Sequence, residues 1–250
     1  MMASTTESGH PKNLSNFETL ITFCKGYGAD YKPSNPNIEI AAMQNIYSQA
    51  KDSISTLNKV LPNYSKAVEK REVAFEPLSK LTTRVINALI ASKATAQAVD
   101  NAKTHASKVK GTRVGKKEQP KVDPNNPTAK VEDNSISVSQ MSYTNRVNNF
   151  EKLIETLQAE PKYNPNEKEL QVASLKTLLA ELVTLNTAVI ENYEPVSNAR
   201  ITRDKVMYDE VNGLVQVASE VKSYVKSLYG PSSPKYKQIS SLAFKRPKKD

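Results

Sequence analysis

The residues with chemical potential are few. The chain has one cysteine, Cys24, and two histidines, His10 and His105. Three such residues are too sparse for a His/Cys metal centre, and one thiol excludes an intrachain disulfide. Neither histidine has a Ser or Asp spaced to complete a catalytic triad. Cys24 falls on an apolar helix face with Phe17, Leu20 and Ile21. Nothing beside it would lower a thiol pKa, so an inert, buried cysteine is expected. The carboxylate pairs Glu69/Glu72 and Glu167/Glu169 lack the Glu-x-x-His pattern of di-metal bundles and read as solvated faces. Gly26-Tyr27-Gly28 has no strand before it and is no phosphate loop. The expectation is a non-enzymatic protein with no cofactor.

Two arginines stand out by position. Arg71 and Arg203 lie 132 residues apart, each four residues after an alanine on a helix face (Ala67, Ala199). A guanidinium there has two readings. One is an anion site at the centre of a bundle. The other, preferred, is structural, either a snorkelling side chain or an ion pair with an acid such as Glu39 or Glu181.

The remaining basic residues concentrate outside the helical patterns. Residues 105–141 hold seven Lys/Arg against four Asp/Glu, and residues 230–250 hold six against one. These segments therefore carry +8 of the net +9. Lys108, Lys110, Arg113, Lys116, Lys117, Lys245, Arg246, Lys248 and Lys249 are the candidate polyanion contacts. Binding through flexible segments would be weak, salt-sensitive and blind to sequence. Tyr27, Tyr31, Tyr163, Tyr193, Tyr229 and Tyr236, at loops and helix ends, could stack on bases or equally cap a core.

The elements positioning these residues read as helices. Seven glycines in 250 residues disfavour sandwiches, barrels and doubly wound sheets. Ser15 and Glu18 have capping-box spacing, so helix 1 is expected near Ser15, ending at Gly26 and Gly28. Asn35-Pro36 opens helix 2, with apolar positions from Ile38 to Leu61, and Pro62-Asn63 breaks its pattern; Pro62 and Pro195 read as either kinks or hairpin turns. Helix 3 is expected from Asn63 to His105, kinked or restarted at Pro77. In the second half, helices are expected from Asn149, from Asn166 and from Pro195 to Tyr229, with Gly230-Pro231 as the stop. Met207, Val211, Leu214, Ala218, Val221, Val225 and Leu228 form a heptad seam on the last of these.

The halves resemble each other. Asn149-Phe150-Glu151-Lys152-Leu153-Ile154 matches Asn16-Phe17-Glu18-Thr19-Leu20-Ile21 at five of six positions, and Tyr163-Asn164-Pro165 matches Tyr31-Lys32-Pro33. The expected fold is all-α: an elongated helical bundle of two tandem similar halves, about three helices each, joined by a flexible linker. Its segments are a disordered N-terminus (1–13), half 1 (14–107), a basic, Pro-rich linker (108–140), half 2 (141–229) and a basic C-terminal tail (230–250).

The Asn-Phe-Glu-x-Leu-Ile and Tyr-x-Pro motifs, with Ser197-Asn198-Ala199-Arg200-Ile201 and Tyr224-Val225-Lys226-Ser227, resemble a family of all-helical, internally duplicated proteins of Bacteroidetes-type bacteria. The resemblance implies a bacterial origin and an all-helical fold. That family carries no assigned activity, so it implies no site residues.

The chain start shows no leader, and no apolar run approaches the roughly 18 residues of a spanning helix. The expected location is the cytoplasm, without membrane insertion. The expected role is a helical scaffold or interaction protein that self-associates or binds a protein partner through amphipathic faces. The alternative is a nucleic-acid- or ribosome-associated protein acting through linker and tail.

Overall fold

The computed structural model describes residues 9–111 and 142–247. About 80% of these are helical, and no strand occurs among them. The helices are α1 (Gly9–Gly26), α2 (Ile40–Phe75), α3 (Leu78–Ala91), α4 (Ala96–Lys110), α5 (Tyr143–Gln158), α6 (Val172–Tyr208), α7 (Leu214–Tyr229) and α8 (Pro234–Ser240).

Several boundaries follow from local chemistry. Asn35 accepts from the Asn37 N–H and precedes Pro36 at the first position of a short 3-10 turn leading into α2. Thr95 caps α4 by accepting from Ala98 N–H at 3.2 Å, and Gly111 ends it at φ 72°. Pro77 restarts the helix rather than kinking it: α2 stops at Phe75 and α3 begins at Leu78.

Other boundaries differ from the sequence expectation. Helix α1 starts at Gly9, so Ser15 lies inside it and is not a cap; residues 9–13 are helical because His10 and Asn13 are buried. Pro62 and Pro195 do not end helices but sit inside α2 and α6, both exposed to water. An interior proline disfavours a helix by about 3 kcal/mol. Burial close by offsets this: Leu57, 3% exposed, packs with Val196 and Ala199, and the Tyr64 and Tyr193 rings lie 5.5 Å apart. The segment expected as one helix from Asn63 to His105 is divided among α2, α3 and α4. The expected heptad seam is likewise interrupted. Met207 belongs to α6, Val211 lies 65% exposed in the connecting turn, and only Leu214, Ala218, Val221 and Val225 continue the seam as buried residues of α7.

The chain forms two compact units. The first comprises residues up to Tyr64 and from Asn192 onward; the second runs from Ser65 to Glu191. Each therefore combines segments from both sequence halves.

In the first unit, α1 packs on α7 and α8. Phe17, Leu20, Cys24, Met207, Val217 and Val221 are at most 1% exposed in its core. The loop after α1 is anchored by Tyr31, whose hydroxyl donates to the Ile38 carbonyl at 2.7 Å.

In the second unit, α4 packs between α3 and α5. Ala102 and Ala106, four residues apart on α4, are small enough to bring α5 close. Phe150, Leu153, Ile154 and Leu157 of α5 are at most 1% exposed. The loop after α5 repeats the tyrosine anchor: the Tyr163 hydroxyl donates to the Leu170 carbonyl, also at 2.7 Å.

Candidate binding surfaces

The two matched arginines occupy different units and different environments. Arg71, from α2, lies with its guanidinium carbon 3.9 Å from the Tyr143 ring centroid and donates to Asn186 Oδ1 at 3.2 Å. Its Nε is buried without a hydrogen bond, so stacking dominates the contact. Arg203, 6% exposed on α6, pairs with the adjacent Asp204 at 2.9 Å. Asp204 is thus an acid partner of Arg203.

Four of the nine basic candidates fall among the described residues. Lys108 and Lys110 lie in the last turn of α4, where cations favour the helix dipole. Arg113, Lys116, Lys117, Lys248 and Lys249 lie outside the described residues. Lys245 and Arg246 belong to a segment docked onto α1, not to a loose tail.

That segment is held by a series of side-chain hydrogen bonds to its backbone. After α7, Gly230 turns the chain with φ 85°, and α8 buries Ile239 completely. Residues 241–247 then run on as an extended strap. Asn13 donates from Nδ2 to the Lys245 carbonyl at 2.8 Å and accepts from the Lys245 N–H at 3.0 Å. One turn further along α1, Asn16 donates to the Ala243 carbonyl at 2.7 Å. Between these anchors Phe244 meets the Phe17 ring edge-on at 6.4 Å. The Lys222 ammonium donates to the carbonyls of Ser240, at 3.2 Å, and Leu242, and its pKa is lowered by burial. Arg246 donates to the Tyr208 carbonyl at 2.8 Å, and the Tyr208 hydroxyl lies 2.5 Å from His10 Nδ1. Sequence reading missed Asn13 and Asn16 as binding residues. The available signal was that they extend the stripe of Phe17 and Leu20 one turn upstream.

The remaining reactive groups are built into the fold. Cys24 is 1% exposed, and burial pushes its thiol up to about 12. The pKa of His105 is lowered by burial and by Lys108 and Lys152. Glu169 pairs with Arg84 on the surface. Glu160 accepts from the Thr95 N–H and hydroxyl, joining the start of α4 to the end of α5. Among the described residues no group of three or more His, Cys, Asp or Glu could hold a metal ion.

Two open grooves lie in the second unit. One, about 540 Å³, is bounded by α3 and the Tyr163 loop. The other, about 610 Å³, runs between Thr95–Asn101 and Glu155–Pro161. Helix α6 also carries Leu175, Leu182 and Val189 at heptad spacing on its buried face, and beside them Val183 and Ile190, which are 46% and 64% exposed. By length and composition α6 passes the test for a membrane span, with a window of mean hydropathy 1.3 that is only 17% buried. The stretch is not an unbroken apolar run, since Lys176, Glu181 and several Thr and Asn residues interrupt it.

Comparison with protein-family models, curated proteins and solved structures finds no match to this chain.

Proposed function

We infer that the protein is a non-enzymatic helical scaffold that associates with a second copy of itself or with another helical protein through its exposed apolar helix faces. The observation that carries this reading is the second stripe on α6. Val183 and Ile190 lie seven residues apart and so share a face, beside the buried stripe of Leu175, Leu182 and Val189. Burying each exposed side chain would contribute about 1.5–3 kcal/mol. An apolar stripe left in water beside a filled one has the pattern of a helix awaiting a partner.

The non-enzymatic part of the reading is supported by the state of the reactive groups. Cys24 is held as a neutral thiol, Arg71 and Arg203 serve packing, and the strap engages Asn13 and Asn16. The architecture is read as a duplicated three-helix unit. The five-of-six match at Asn16 and Asn149 and the two equal tyrosine anchors support this.

Light scattering on the purified full chain tests the reading. The expected result is a dimer or larger assembly that Ile190→Lys shifts toward monomer. A monomer at every concentration, together with no protein captured by a photocrosslinker placed at Ile190 in cells, would overturn it.

A further inference from the structure

The two tyrosine-anchored loops are alike in backbone but differ in what covers them. In the first unit the loop residue Lys32 donates its N–H to the Asp30 carbonyl, at 3.1 Å. The same N–H also donates to the hydroxyl of Tyr224, which α7 lays over the loop at 3.1 Å. The Tyr224 ring stands edge-on to Tyr31, with centroids 5.3 Å apart. In the second unit Asn164 occupies the place of Lys32, one residue after the anchoring tyrosine, and its N–H makes the same turn bond, to the Lys162 carbonyl at 3.1 Å. Helix α3 supplies no tyrosine there. It presents Ala88, Ala91 and Ser92, and the space left between them and Asn164, Pro165 and Leu170 is the groove of about 540 Å³. That volume lies within the range of small-ligand pockets, about 300–1,000 Å³.

We propose that this groove is a binding slot for the phenol ring of a tyrosine side chain presented by a protein partner. The first unit supplies the template. A phenol there places its hydroxyl on the loop N–H, and in the second unit the equivalent N–H belongs to Asn164, which lines the groove together with Ala88, Ala91 and Ser92. Tyrosine suits such a site because it adds a directional hydrogen bond to a large apolar surface. Arg84, Asn87 and Glu167 line the groove beside Ala88, Ala91, Pro165 and Leu170, so it offers both polar groups and apolar surface to a phenol. That the ring belongs to a protein partner rests on the scaffold reading above. The slot itself does not.

The test is an NMR titration of the full chain with N-acetyl-L-tyrosinamide, and with N-acetyl-L-phenylalaninamide as the probe lacking only the hydroxyl. The expected result is a shift of the Asn164 amide and the Ala88 and Leu170 methyl signals. The tyrosine probe should bind about five-fold more tightly, the value of one hydrogen bond. Ala88→Phe, which fills the groove, should abolish these shifts. Tyr224→Ala, which opens the first unit, should add a second set at Lys32. Equal binding of the two probes, shifts remote from Asn164, or no shifts in the wild-type chain would each overturn the proposal. The titration uses the chain alone, so its outcome is independent of whether the chain self-associates.

Discussion

The carboxamide of Asn13 brackets the backbone of Lys245: Nδ2 donates to the carbonyl and Oδ1 accepts from the N–H of one residue, 232 positions away in sequence. This two-point contact is the pattern one strand offers another, made here by a helix side chain that is 1% exposed. It converts a basic, proline-flanked tail into part of the first unit.

Removing the bracket should release the strap. Asn13→Leu would leave the Lys245 N–H and carbonyl without partners unless the segment lifts into water. Each lost buried hydrogen bond costs about 1–3 kcal/mol. Limited trypsin digestion should cut after Lys245 much faster in the variant, Pro247 protecting the bond after Arg246 in either form. Equal cleavage rates would show that the bracket does not hold the strap.

Stability should decline in alkali. Burial pushes Cys24 up to about 12 from 9.0, and Tyr27 and Tyr163 up to about 12 from 10.0. The folded state thus keeps protons that the unfolded chain gives up. The resulting stabilisation is complete below about pH 9 and is lost as pH rises toward 12. Urea titrations at stepped pH should show a falling midpoint across that window, with a shallower slope for Cys24→Val. A midpoint flat to pH 11 would contradict these directions.

The same burial makes Cys24 slow to react. A thiol reagent at pH 8 should leave the native chain unmodified and label one site once urea unfolds it, because only the thiolate attacks. Rapid labelling of the native chain would mean the first unit opens readily.

Arg71 and Tyr143 should show measurable coupling. With the guanidinium 3.9 Å from the ring centroid and Nε unbonded, the contact depends on the planar cation over the ring. A double-mutant cycle of Arg71→Met and Tyr143→Leu should give about 0.5–2 kcal/mol. Arg71→Lys should recover only part, since a point charge does not stack. Zero coupling would reduce the contact to simple packing.

The interior prolines give an opposite sign. Pro62 and Pro195 are exposed within α2 and α6. Replacing either with alanine restores a helix hydrogen bond and should raise the melting temperature by up to about 6–12 °C, taking about 3 kcal/mol at about 2–4 °C per kcal/mol. A fall in melting temperature would mean that the helices need the bend a proline imposes.

Much of the helical framework was legible because its signals are local. Gly28 after α1, Asn35-Pro36 before α2, Pro77 before α3 and Gly230 after α7 act through the φ values each residue type allows and through lone-pair geometry, which neighbouring residues cannot cancel. The apolar faces were equally readable: Phe17, Leu20 and Cys24 are buried, as are Phe150 and Leu153. The prolines at 62 and 195 left a kink and a hairpin turn both open, for a related reason. Their local penalty is real, but packing of Leu57, Val196 and Ala199 outweighs it, and those contacts join residues about 140 positions apart. The candidate sites were harder still. Asn13 looks like a frayed-end residue until Lys245 lies on it, and the α3 groove exists only by contrast with Tyr224 on α7.

By itself the amino-acid order determined that the chain is helical, where most helices stop, and which face of each is apolar, since those depend on backbone restrictions and periodicity within a few residues. Which segments share a core was decided by tertiary structure. A 36-residue helix such as α2 is about 54 Å long, so α1 packs beside its beginning while its last turns belong with α5. Long-range burial therefore overrides sequence proximity: α7, α8 and the strap complete the core of α1, and α3 and α4 complete that of α5.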